Sequence, residues 1–111
     1  MLMDDRLMAI LHDYKKNIVE VSADNIDCMI LYGSHARGDN REDSDIDIMF
    51  LVKLSAEPME ELEMKIADCT YDFNMDHGTD IMPMVQNTDH FNYWKDAYMF
   101  YRNVDLEGVV I

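Results

Sequence analysis

The stretch at residues 33–47, GSHARGDNREDSDID, constrains this chain more than any other. An apolar run, Cys28-Met29-Ile30-Leu31-Tyr32, precedes it, and a second, Ile46-Asp47-Ile48-Met49-Phe50-Leu51-Val52, overlaps its end. The first run reads as a strand that turns at Gly33. Ser34 then stands where a helix begins, or where backbone N–H groups point outward without partners. Such a place favours an anion, phosphate above all. Gly38, Asp39 and Asn40 end that short turn, and the second strand opens with Asp45 and Asp47.

Alternate residues of a strand face the same way and lie roughly 6.6 Å apart. Two carboxylates so spaced can lean onto a pair of divalent cations about 4 Å apart. Ile46 and Ile48 point to the opposite face, into a core. One strand thus anchors the fold and presents hard oxygen ligands. Oxygen donors suit Mg²⁺ or Mn²⁺ rather than zinc. A phosphate cradle beside an acid pair implies nucleoside triphosphate chemistry.

The string Gly33, Ser34, Ala36, Arg37, Gly38, Ser44, Asp45 and Asp47 resembles the signature of the DNA polymerase beta-like nucleotidyltransferases. It is most similar to their small stand-alone branch, the minimal nucleotidyltransferases of antitoxin type. The tail, Phe100-Tyr101-Arg102-Asn103-Val104 and Glu107-Gly108-Val109, also looks like the end of that branch. The resemblance implies transfer of AMP from ATP to a hydroxyl with loss of pyrophosphate. It implies two Mg²⁺ ions, with Mn²⁺ as an alternative, held by Asp45 and Asp47. In that family a third carboxylate comes from the neighbouring strand. Asp80 is the best match, ahead of Asp76 and His77, and its alternative is a turn residue after Gly78. Gly33 and Ser34 would hold phosphate. Arg37 would either bind phosphate oxygens or pair with Asp39, Asp43 or Asp45.

Composition sets bounds. The 111 residues predict one domain, residues 1–111. An apolar fraction of 49% fits a folded chain. No run approaches a membrane span, and Asp4 and Asp5 replace a basic leader, so a cytoplasmic protein is expected. The net charge of −14 argues against a nucleic-acid groove and suits a basic partner protein or plain solubility. Cys28 and Cys69 read as buried thiols. Eleven methionines supply adaptable packing, and any on the surface suit a partner interface.

In chain order, residues 4–22 predict an amphipathic helix with Leu7, Ile10, Leu11, Tyr14, Ile18 and Val21 as its stripe. Strands follow at 26–32 and 45–53. Ser55 should cap a helix that fades near Asn74, with Gly78 as its turn. Residues 79–86 predict a strand that Pro83 confines to an edge or gives a bulge. Residues 88–107 predict a helix broken near Lys95, with an aromatic stripe of Phe91, Trp94, Tyr98 and Tyr101 read as core. Val109–Ile111 would add a short strand. The expected fold class is α/β (α+β): a small mixed sheet with helices mainly on one face.

The acceptor is open in the sequence. Relatives of the branch are antitoxins that modify a tyrosine of a HEPN-type toxin, which would make this chain part of a hetero-oligomer. A non-catalytic binding partner is the first alternative. A small-molecule enzyme, such as one acting on aminoglycosides, is the second.

Overall fold

The computed structural model describes residues 4–111. Helix α1 (Asp5–Ser22) starts at Asp4, whose carboxylate accepts from the Arg6 N–H. A 3-10 turn over Ala23–Asn25 leads to β1 (Ile26–Tyr32). One helical turn, α2 (Ser34–Arg37), precedes β2 (Ile46–Val52) and then α3 (Ala56–His77). β3 (Ile81–Asn87), α4 (Thr88–Trp94), α5 (Met99–Glu107) and β4 (Val109–Val110) complete the chain.

The sheet order is β3-β2-β1-β4. β1 runs antiparallel to β2 and β4, and β2 runs parallel to β3. The parallel pair needs a crossover, which α3 supplies. Pro83 lies in β3 at the sheet edge, as its missing N–H requires.

Alternation along β1 and β2 sends side chains to two cores. Met29, Leu31, Ile46, Ile48, Phe50 and Val52 meet Leu11, Tyr14 and Ile18 of α1 and Leu62, Ile66 and Phe73 of α3. On the other face Ile30, Met49 and Leu51 meet Phe91 of α4 and Val104 of α5. The two long helices therefore share one face, and two short helices close part of the other.

Several expectations need adjusting. Val21 is 37% exposed, bordering the groove between α1 and α3. α3 persists to His77, whose ring stacks on Phe73, and Gly78 then caps it at φ 64°. The aromatic stripe splits: Phe91 is buried, while Tyr98 is half-exposed and stacks on Trp94. Cys28 and Cys69 are only half-buried. Cys28 packs against the core on the α4 and α5 side and lines a cavity with Val110 and Ile111. Cys69 borders the groove between α1 and α3. Burial still pushes both thiols up.

Candidate active site

The corner after β1 is built by glycine. Gly33 sits at φ 76°, where a side chain is disfavoured, and a Cβ placed there would strike the Asp47 carboxylate. The Gly33 carbonyl accepts from the N–H groups of Ala36 and Arg37, both at 3.1 Å. That closes α2, whose first N–H groups, on Ser34 and His35, have no acceptor within the turn. Gly38, at φ 83°, ends it by donating to the Ser34 carbonyl at 2.9 Å.

The loop from Asp39 to Asp45 is pinned by short-range bonds. Ser44 Oγ accepts from the Arg41 N–H at 2.8 Å, and the Ser44 N–H donates to the Arg41 carbonyl. The His35 ring nitrogen Nε2 lies 3.2 Å from the Ser44 carbonyl oxygen. His35 therefore ties α2 to the start of β2.

Asp47 lies between Tyr32 of β1 and Met82 of β3 in the sheet register. Burial, and then the charge of Asp45, hold its carboxyl above the ordinary range, while His35 and Arg37 pull the other way. Burial and Asp47 likewise push the Tyr32 phenol up. Asp80 stands at the mouth of β3, and its carbonyl accepts from the Ile46 N–H at 2.9 Å. Carrying the register back one residue from Ile46 and Ile81 sets Asp80 beside Asp45. Asp45, Asp47 and Asp80 thus occupy one end of one sheet face by strand parity.

The three carboxylates do not converge into one cluster. Among the described residues no three His, Cys, Asp or Glu side chains gather closely enough to hold a metal ion. Asp45 and Asp80 are exposed, where like charges gain by standing apart. The donor chemistry nonetheless fits a hard divalent cation. Asp45 and Asp47 offer only oxygen, and burial and then the Asp45 charge, which raise the Asp47 carboxyl, are both strains that a bound cation relieves.

A cleft of about 400 Å³ opens over this corner, lined by Tyr32, Gly33, Ser34, Arg37 and Asp47 and by Phe100, Asn103, Val104 and Glu107 of α5. A larger groove, about 610 Å³, lies between α1 and α3, away from the acid pair. The α5 wall is absent from the sequence-based site. Phe100, Asn103 and Glu107 follow at steps of three and four, so one helix face carries them. Phe100 meets Tyr32 edge-on at 5.7 Å. Arg37 pairs with Asp39 at 3.1 Å, one of its expected partners, and with Glu107 at 3.3 Å, which was not among them. The guanidinium therefore bridges α2 and α5 at the edge of the cleft.

This chain belongs to the polymerase beta nucleotidyltransferase family: residues 16–95 match the family model described as "Polymerase beta, Nucleotidyltransferase". Two relatives from Methanocaldococcus jannaschii each bear the name "Putative protein adenylyltransferase". One is 35% identical over 83 residues, covering 75% of each chain. The other is 45% identical over 47 residues, covering 42% of this chain and 48% of the relative, so this match spans about half of that protein. Among solved structures, the crystal structure of a "putative nucleotidyltransferase" from Sulfolobus solfataricus superposes with a TM-score of 0.60 at 22% identity. That superposition covers 95% of this chain and 78% of the other. A chain of the crystal structure of a "toxin-antitoxin with AMP-PNP" superposes with a TM-score of 0.50 at 20% identity, covering 88% of this chain and 69% of the other. These structures establish the shared fold, a mixed α+β nucleotidyltransferase architecture. No helix among the described residues is long and apolar enough to cross a membrane.

Proposed function

We propose that this chain transfers AMP from ATP to a hydroxyl of a partner protein, a tyrosine of a HEPN-type toxin, and serves as the antitoxin of that pair. The observation that carries the reading is the contact between the Gly33 corner and the Asp47 carboxylate, inside a cleft that also holds Ser34 and Arg37. The names of the M. jannaschii relatives support a protein acceptor, and the nucleotide analogue named with the toxin-antitoxin structure supports an adenine nucleotide.

In this mechanism the backbone past Gly33 and the Ser34 hydroxyl bind the terminal phosphates. Arg37 leaves Glu107 to meet the charge that develops on the leaving pyrophosphate. The acceptor oxygen forms a bond to the α-phosphorus as the bond to the bridging oxygen breaks. Pyrophosphate departs with that electron pair, and Asp80 accepts the hydroxyl proton. Two Mg²⁺ ions, or Mn²⁺ in their place, would be held by Asp45, Asp47 and Asp80 and would supply Lewis-acid polarisation of the phosphate.

The test is mass spectrometry of the partner that co-purifies with the chain. An added AMP mass on a tyrosine is expected. An unmodified partner alongside active toxin neutralisation contradicts the enzymatic reading.

A second reading has its own support. Asp45 and Asp80 stand open rather than converged, which suits a partner that neutralises by binding alone. Neutralisation by a chain carrying both Asp45→Asn and Asp47→Asn favours this reading.

A further inference from the structure

The acceptor must reach the α-phosphorus from a definite side, and the sheet register says which. In-line displacement places the incoming oxygen opposite the leaving group. If pyrophosphate is held at Gly33, Ser34 and Arg37, it lies on the β1 side of Asp47. The open approach is then across β2 toward β3.

β3 carries an apolar surface there. Met82 is in register with Asp47, and Met84 with Met49, so both side chains share the face of the acid pair. Their strand neighbours confirm the parity. Ile81 and Val85 pack in the opposite core, while Gln86 donates to the Tyr101 hydroxyl on the near side. α5 thus covers this face at Gln86 and leaves it open nearer the acids: Met82 is 53% exposed and Met84 is 41% exposed.

We infer that Met82 and Met84 form the acceptor subsite, and that it takes a protein segment with an apolar residue next to the accepting hydroxyl and basic residues beyond. The inference rests on the nucleotidyl-transfer reading above. The transfer is the one already balanced, with the acceptor oxygen joined to the α-phosphorus and pyrophosphate released.

Three features select that occupant. Methionine packs against varied apolar side chains and offers almost nothing to a hydroxyl-rich sugar. The chain's net charge of −14 favours basic residues at the rim. Pro83 removes an N–H from the β3 edge, so recognition falls to side chains rather than to an added strand.

The experiment follows label from Mg·[α-³²P]ATP into three probes: the peptide Arg-Leu-Tyr-Leu-Arg, its counterpart Arg-Ser-Tyr-Ser-Arg, and kanamycin. Binding of ATP is measured in parallel by calorimetry. The leucine peptide should be labelled with a kcat/KM about tenfold above that of the serine peptide, with kanamycin left unlabelled. Met82→Ser with Met84→Ser should erase that preference and leave ATP affinity unchanged, since neither residue lines the nucleotide cleft. A chain that binds ATP but labels both peptides alike, labels neither, or prefers kanamycin overturns the subsite. A chain that binds no ATP overturns the nucleotide reading on which the subsite stands.

Discussion

The two faces of the sheet are built on different terms. The face under α1 and α3 is closed. Its buried set includes Tyr14, Phe50 and Phe73, with ring centres 6.0 Å and 5.2 Å from Tyr14. Even its polar atoms are paired, as Tyr14 and Thr70 share a 2.6 Å hydrogen bond, and burial pushes the Tyr14 phenol above its ordinary range. The face under α4 and α5 has a small core around Met49 and Phe91, then opens onto charged and apolar groups that stay wet. One face gathers stability, and the other leaves room for chemistry. Charge that would be costly inside the first is tolerated at the rim of the second.

Substitutions can break or sharpen this contrast. The largest effect on stability belongs to the closed face. Phe50→Ala should cost about 3–5 kcal/mol in denaturant unfolding, whereas Met82→Ala on the open face should cost under about 0.5 kcal/mol. Equal losses would erase the distinction between the faces.

The next effect is catalytic. Gly33→Ala forces a methyl group against Asp47 at a backbone angle that disfavours it, and should lower kcat/KM about a hundredfold. Thermal unfolding of the variant separates this loss from global unfolding.

Ligand should stabilise the open face selectively. Mg·ATP at about a hundred times its Kd should add about 2.7 kcal/mol to the native state and raise Tm. An unmoved melting curve at millimolar concentration counts against the site.

Smaller effects probe the charges. The Asp47 carboxyl titrates above its unfolded value of about 3.9. Its favourable contribution is therefore present below that value and lost as pH rises through the folded one. Near pH 7 the ionised group opposes folding, so Asp47→Asn should raise Tm by about 2 °C there, allowing for its partial exposure. The gain should vanish in acid. Glu107→Gln frees Arg37 from an exposed pair and should tighten ATP binding by no more than about fivefold.

Much of the closed face was legible from residue spacing, because local rules create it. Leu11, Tyr14 and Ile18 repeat with the helix, and Ile46, Ile48 and Phe50 with the strand. Pro83 narrowed β3 to an edge or a bulge, and the sheet order places it at the edge. The corner at Gly33 and the acid pair were readable as one continuous string. The cleft wall was not. Glu107 meets Arg37 across seventy positions of chain, and no local pattern states that α5 folds back over β1. The place of Asp80 at the start of β3 was readable from the order of elements, whereas the failure of the three acids to cluster was not.

The most direct test is transfer of label from Mg·[α-³²P]ATP to the co-purified partner, by the native chain and by one carrying Asp45→Asn and Asp47→Asn. The native chain should label the partner, and the double variant should fold, hold the partner and label it at least about a thousandfold more slowly. Equal labelling by the two would contradict the role assigned to the acid pair.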